Sequence, residues 1–240
     1  MKLRALILLS FLAFLNLTVA QESESTLNAD LVMTPKYVWR GITYTDGLVY
    51  QPSLALSQKN FSIQLWGNFV LNDKNDIPGN ELDVYITYNY DLAGFALTPA
   101  LFIYTYPGQE ANTTTEFSLG VGYDIEDFNV SASFSKDLVE APRSFFASLD
   151  LIYSTTLMEN LSANLATGLG YGNDYFNEYY VGLSKNALNY FMLGGSLSYS
   201  LSQHISVKAY FENFSILDNE MKDYLEGNTF NFGFALGVEL

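Results

Sequence analysis

The sequence predicts an all-β fold: a transmembrane, antiparallel, up-and-down β-barrel of about 12 strands, with 14 as the competing count. Three observations predict it. Apolar and small or polar residues alternate with period two along almost the whole chain, the signature of strands with one greasy face. The connections alternate between tight turns and longer polar loops, the habit of outer-membrane barrels. The first residues read as an export signal.

Composition agrees. Among 240 residues, aromatics make up 16% and charged residues only 15%, with 18 Tyr and 18 Phe. That favours strands and lacks the charge a soluble solvent-facing surface would carry. With no Cys and one His, disulfide scaffolds, thiol catalysis and multi-histidine metal centres are excluded. The net charge of −15 argues against a nucleic-acid partner.

Residues 1–20 begin with Lys2 and Arg4, continue through an apolar run and end in Thr18, Val19 and Ala20, the form of a cleaved signal peptide. Removing it would take the charge from −15 to −17. Residues 21–26 are a polar lead, and 27–240 form the barrel.

In 27–41, Leu27, Ala29, Leu31, Met33, Tyr37 and Trp39 share the apolar parity, opposite Asp30, Lys36 and Arg40. Stretches 48–57, 61–71 and 81–91 repeat the pattern, the last with Leu82, Val84 and Ile86 against Glu81 and Asp83. Strands follow around Phe95, Phe117, Phe128, Phe145 and Leu161, then around Phe191, Ile205 and Phe230. In the last of these, 230–240, every even residue is apolar; the span suits a tilted strand that crosses a bilayer. Pro52 and Pro99 fall within strands and predict a bulge or break at each, because proline has no N–H for the ladder. Aromatics near strand ends (Tyr50, Tyr90, Tyr123, Tyr153, Tyr171) fit interfacial girdles.

The raw count of alternating stretches is odd, whereas single-chain bacterial barrels have even numbers. Treating the weakest stretch, 177–185, as a loop excursion restores twelve. Tight turns at 58–60, 92–94, 125–127 and around Ser202–His204 would face the periplasm. Loops 72–80, 107–113, 137–143, 172–177 and 214–227 would face outside, and 72–80 and 214–227 are the candidates to fold inward as a plug.

The block Tyr37-Val38-Trp39-Arg40-Gly41-Ile42-Thr43, with Asp46, Gly47 and Gln51 following, resembles the TorF family of porins of Gram-negative bacteria. Glu81-Leu82-Asp83-Val84-Tyr85 and Tyr104-Thr105-Tyr106-Pro107-Gly108 extend the likeness through the N-terminal half. The resemblance implies a channel in the cell outer membrane and brings no catalytic residues. Its expected partners are outer-membrane lipids including lipopolysaccharide, the barrel assembly machinery and periplasmic chaperones.

The lumen parity predicts a charged inner wall of Asp30, Lys36, Arg40, Glu81, Asp83, Glu116, Asp150, Lys208 and Glu212. Six acids against three bases point to a weak cation preference. Arg40, on this parity before a short loop at 41–47, has two readings: it pairs with lumen acids and sets selectivity, or it anchors the rim. Glu81 and Asp83 are two residues apart on one face, as a hydrolytic pair would be, but lumen charges that tune ion passage are expected instead. A Ser–His nucleophile would have to use His204 in a tight turn, so no catalytic, cofactor-binding or metal residues are assigned. The expected function is passive diffusion of small solutes or ions; the competing reading is a non-conducting structural or surface-binding barrel.

Overall fold

The computed structural model describes residues 25–72 and 79–240; the expected signal segment 1–20 and most of loop 72–80 lie outside them. The described residues form thirteen antiparallel strands in one sheet that closes on itself. They are β1 (Ser25–Trp39), β2 (Ile42–Gln58), β3 (Phe61–Val70), β4 (Glu81–Tyr88), β5 (Tyr90–Leu92), β6 (Phe95–Thr105) and β7 (Thr114–Ile125). After them come β8 (Phe128–Asp137), β9 (Phe145–Met158), β10 (Leu161–Gly172), β11 (Ala187–Ser200), β12 (Ile205–Ile216) and β13 (Asn228–Glu239). A helix, α1 (Asp174–Tyr180), and one 3-10 turn (Met221–Asp223) lie in the loops.

Apart from β4 and β5, each strand pairs with its neighbours in sequence, and β1 closes the ring on β13, from Asn28 against Glu239 to Met33 against Phe234. The thirteen strands make twelve staves, because β4 and β5 both pair with β6 in one unbroken register: Thr87 faces Ala100 and Tyr90 faces Leu97. The gap between them falls opposite Pro99, which has no donor for its partner strand. Thr98 Oγ1 bonds to Asn89 Oδ1 at 2.9 Å across the gap. Pro52 acts similarly. The β2–β3 ladder skips Gln51 and Pro52, then resumes in the same register, and Gln51 Nε2 donates to Asn68 Oδ1 at 3.0 Å over the break. The stretch 177–185 is no strand, so the twelve-stave reading holds over the competing fourteen.

The outer wall is apolar. Leu65, Leu165, Phe230 and Phe234 are all exposed, Phe234 at 65%. Water would penalise such a surface at roughly 25 cal/mol per Å², and bilayer hydrocarbon would not. Cross-strand aromatic pairs brace it near both ends: Phe95 with Tyr123 (ring centroids 4.8 Å apart) and Phe128 with Tyr153 (5.0 Å) at one, Tyr50 stacked on Phe69 (5.0 Å) toward the other. The inner wall buries Asn, Ser, Thr and carboxylate side chains, the inverse of a soluble core.

Three sequence expectations around β1 change. Leu31 and Met33 face out as expected, but Tyr37 is buried at 9% exposure against Trp66, and Trp39 packs on Tyr104 and Phe176 inside the barrel. The β1–β2 register shifts between Thr34 and Lys36 and again between Tyr37 and Val38, around the donorless Pro35. Such irregularities re-aim side chains, and here they turn the odd residues from the outer face to the inner one. The second change is the loop at 41–47, which reduces to a two-residue turn. Arg40 (φ 51°) and Gly41 (φ 80°) both take the left-handed conformation that a tight hairpin turn needs, and β2 begins at Ile42. Asp46 and Gly47 therefore lie within β2. At the other end of β1, Ser25 and Thr26 already pair with Gln58 and Ser57, so the strand starts inside the polar lead.

Candidate functional site: a stoppered lumen

The two ends of the barrel differ. At the short-turn end, two-residue connections such as 59–60, 93–94 and 126–127 join the staves. At the other end the longer loops converge, and one of them enters the bore.

That segment is α1 with its flanks. Asn173 caps it: its Oδ1 accepts from Phe176 N and from Phe145 N, both at 2.9 Å, so one side chain ties the helix start to β9. Gly182, at φ +89°, ends it by donating back to Asn177 O and Glu178 O. Asn177, fully buried, donates to Gly172 O (3.1 Å) and Lys185 O (2.7 Å) and accepts from Asn189 Nδ2 (2.7 Å). Asn189 Oδ1 in turn accepts from Gly172 N. A side chain at position 172 would put its Cβ 2.6 Å from both Asn177 and Phe176, so glycine there is what lets the helix lie against β10.

Phe176, 1% exposed, points into a cluster with Phe146 of β9, Tyr190 of β11, Phe214 and Ile216 of β12, and Met221 of the β12–β13 loop. Of the two expected plug loops, 72–80 lies mostly outside the described residues and 214–227 contributes Met221; the inserted element is 173–186.

Arg40 locks this stopper. From its turn between β1 and β2, the guanidinium reaches across the bore to Glu116 on β7, with Nη1 to Oε2 at 2.8 Å and Nη2 to Oε1 at 2.6 Å. The pair is bidentate and nearly dry: the side chains are 13% and 3% exposed. The guanidinium also lies 4.3 Å over the Trp39 ring and 4.6 Å over Phe146. Arg40 thus pairs with a lumen acid and fastens the rim through that pair.

The other predicted wall charges are distributed as follows. Glu81 (7% exposed) and Asp83 (0%) are buried side by side; Asp83 accepts from Tyr85 Oη at 2.9 Å and from Thr105 N at 3.3 Å. Neither has a basic partner among the described residues. Lys36 is tied down at the mouth by Glu226 (3.2 Å) and lies 3.9 Å from Asp46. Glu212 accepts from Asn231 Nδ2 (3.1 Å), and both Glu212 and Lys208 line a 350 Å³ cavity lower in the bore. Asp150, bonded by Ser148 Oγ at 2.7 Å, lines a 260 Å³ cavity walled by Thr98, Gly122 and Ser133, and Asp30 lies near the short-turn rim. Of the loop acids, Asp218 and Glu220 hold Lys185, both at 2.9 Å.

Above the stopper is a vestibule of 490 Å³. Tyr37 and Trp39 line both it and a 220 Å³ cavity beneath, so these rings are the partition between mouth and bore. Sequence reasoning missed the aromatic vestibule and α1. The polar Gly172-Asn173-Asp174 start was the available signal for the helix, being a strand end followed by an N-cap.

The chain belongs to a family described as bacterial proteins of unknown function (Gcw_chp), whose model matches residues 19–211. No protein of curated function matches the sequence. Among solved structures it is similar to the NanC porin: 13% identity, 88% of this chain and 98% of that one, TM-score 0.53. It is also similar to the KdgM porin: 11% identity, 89% and 97% covered, TM-score 0.51. An outer-membrane channel of Pseudomonas putida F1 aligns at 9% identity, covering 92% and 97%, TM-score 0.50. At these identities the likeness is one of fold: an outer-membrane-type barrel.

Proposed function

We propose that the protein is an outer-membrane channel for passive diffusion of small solutes or ions, weakly selective for cations. The observation that carries this reading is the inner wall of a closed barrel. Once Arg40 is spent on Glu116 and Lys36 on Glu226, the acids Asp30, Glu81, Asp83, Asp150 and Glu212 face Lys208 as the remaining base of the predicted set. An excess of fixed negative charge in a confined bore concentrates cations and repels anions. The TorF-like block supports the same reading, because its Tyr37 and Trp39 stand between the mouth and the bore.

In this proposal the chain is exported through its signal peptide and inserted by the barrel assembly machinery with the help of periplasmic chaperones. It contacts outer-membrane lipids including lipopolysaccharide, and carries out no catalysis. The short turns face the periplasm and the stoppered mouth faces outside.

A second reading, a barrel that does not conduct and serves a structural or surface-binding role, is favoured by one observation: the stopper itself, with its buried ion pair and its packed helix. Planar-bilayer recordings of the refolded protein separate the two. Discrete conductance steps with a reversal potential on the cation side support the channel. Anion preference would overturn the selectivity. Silence from correctly folded, heat-modifiable protein, together with silence from a variant lacking the Arg40 latch, would favour the non-conducting barrel.

A further inference from the structure

The vestibule has a chemistry of its own. Its walls are aromatic: Trp39 is packed at 5.1 Å from Tyr180, 6.1 Å from Tyr44 and 6.3 Å from Tyr104, and Tyr37 stands 5.8 Å from Tyr44. Its charge is wholly negative among the described lining residues, from Glu81 at the floor and Glu110 and Glu140 at the rim, with no Lys or Arg among them. Glu81 is 93% buried yet lines the cavity, with the Tyr37 hydroxyl and Asp83 as its partners rather than a cation. A buried carboxylate with no counter-charge among the described residues, beneath a ring of π-faces, is a place where a positive charge would be stabilised twice over. The carboxylates supply the Coulomb attraction, and the ring quadrupoles supply faces that replace water around a bulky cation. An anion meets only repulsion there. A neutral sugar would stack on the rings but leave the carboxylates without a counter-charge.

We infer that this vestibule is a binding site for small organic cations of the alkylammonium class. The 490 Å³ volume accommodates such a cation with a few waters. As a statement about what the channel carries, this rests on the channel reading; as a statement about binding, it stands on the vestibule alone.

The test is calorimetric titration of the full mature protein, refolded in detergent micelles, with choline chloride, glucose and sodium acetate as separate probes and sodium chloride as the ionic control. Saturable heat for choline, and none for acetate, is expected. Trp39→Ala and Glu81→Gln should each weaken choline binding about tenfold, the loss expected from removing one strong cation contact. Because Trp39 also packs against the stopper, Tyr44→Ala, at a half-exposed ring, and Glu140→Gln, at the rim, serve as milder variants, each required to keep heat-modifiable mobility. Saturable binding of glucose with choline silent would overturn the inference in favour of a sugar site. Choline heat that sodium chloride abolishes at equal ionic strength would reduce it to diffuse charge attraction and overturn it, as would unchanged affinity in all four folded variants. Binding in a protein that never conducts would leave the inference intact and sink the channel reading, so the two fail separately.

Discussion

The two halves of the bore are built on the same staves and do opposite things. Toward the short turns the inner wall is made of small hydroxyls and glycines that pair in neighbourly fashion: Ser57 with Ser62 (3.0 Å) and Ser133 with Ser148 (2.9 Å). These contacts link adjacent staves, fill little volume and leave space. Toward the loops the inner wall carries Phe146, Tyr190 and Phe214, and contacts reach across the bore: Arg40 to Glu116, separated by 76 residues, and Trp39 to Phe176 and Tyr104. The outer wall is equally apolar over both halves, since lipid asks the same of each. What differs is side-chain volume inside, and volume decides how much space each half leaves open.

This contrast can be attacked from its strongest point downward. Arg40→Ala should have the largest effect, because it leaves Glu116 buried without its counter-charge, with the Tyr104 hydroxyl (3.4 Å) as its remaining partner, at a cost of about 3–5 kcal/mol. The expected outcome is a lower unfolding temperature in a gel-shift melt and a larger conductance. The double replacement Arg40→Met with Glu116→Leu should recover most of that stability while keeping the larger conductance, since an apolar pair of similar volume is often neutral. A double variant as unstable as Arg40→Ala would count against the latch.

Asn177→Ala comes next. It strips the helix of its three bonds to Gly172, Lys185 and Asn189, and about 1–3 kcal/mol is expected for orphaning such buried partners. Increased protease cleavage within 173–186 at constant barrel melting temperature would localise the loss to the stopper.

A smaller effect is expected from pH. Lys185 and its partner Asp218 clasp the stopper's loop to the β12–β13 loop. The hydrogen bond from Lys185 holds the Asp218 carboxyl below its usual range, and the bonds to Asp218 and Glu220 hold the Lys185 ammonium above its own. The Asp218 contribution is therefore complete above about pH 4, the ordinary carboxylate value, and is lost as pH falls through the depressed one. The Lys185 contribution is complete below about pH 10.5 and is lost as pH rises through the raised value. Loop protease sensitivity should rise at the acid and alkaline extremes in the wild type, and be flat with pH in Lys185→Ala.

The smallest effect is predicted for the open half. Ser133→Ala should move stability by no more than about 0.5 kcal/mol and leave single-channel conductance unchanged. A conductance change as large as that of the latch variants would mean the narrowest point lies in the serine-lined half.

The family-like block illustrates how sequence and structure divide the work. Tyr37, Trp39, Arg40 and Gly41 stood out as a motif, and they meet at the stopper. Their roles were hidden because the alternation assigned Tyr37 and Trp39 to lipid, and only the register shifts around Pro35 reverse it. Glu116 was legible as a wall acid but not as the partner of Arg40. The odd count of alternating stretches carried real information: an even barrel needed either 177–185 to be a loop or one further strand, and α1 with its loop is there. The proline breaks were legible too, because a missing donor is a local property that no tertiary context restores.

By itself, the sequence determined the barrel. Every residue on a stave must face either lipid or lumen, so the period-two pattern, the turn lengths and the proline breaks each carry the fold locally, residue by residue. Only the tertiary structure decided what the barrel encloses. The latch, the helix seated on Gly172 and the aromatic vestibule are contacts between staves far apart in the chain, set by closure of the ring and by the volume left inside it. No alternation along a strand encodes which side chain will stand opposite across the bore.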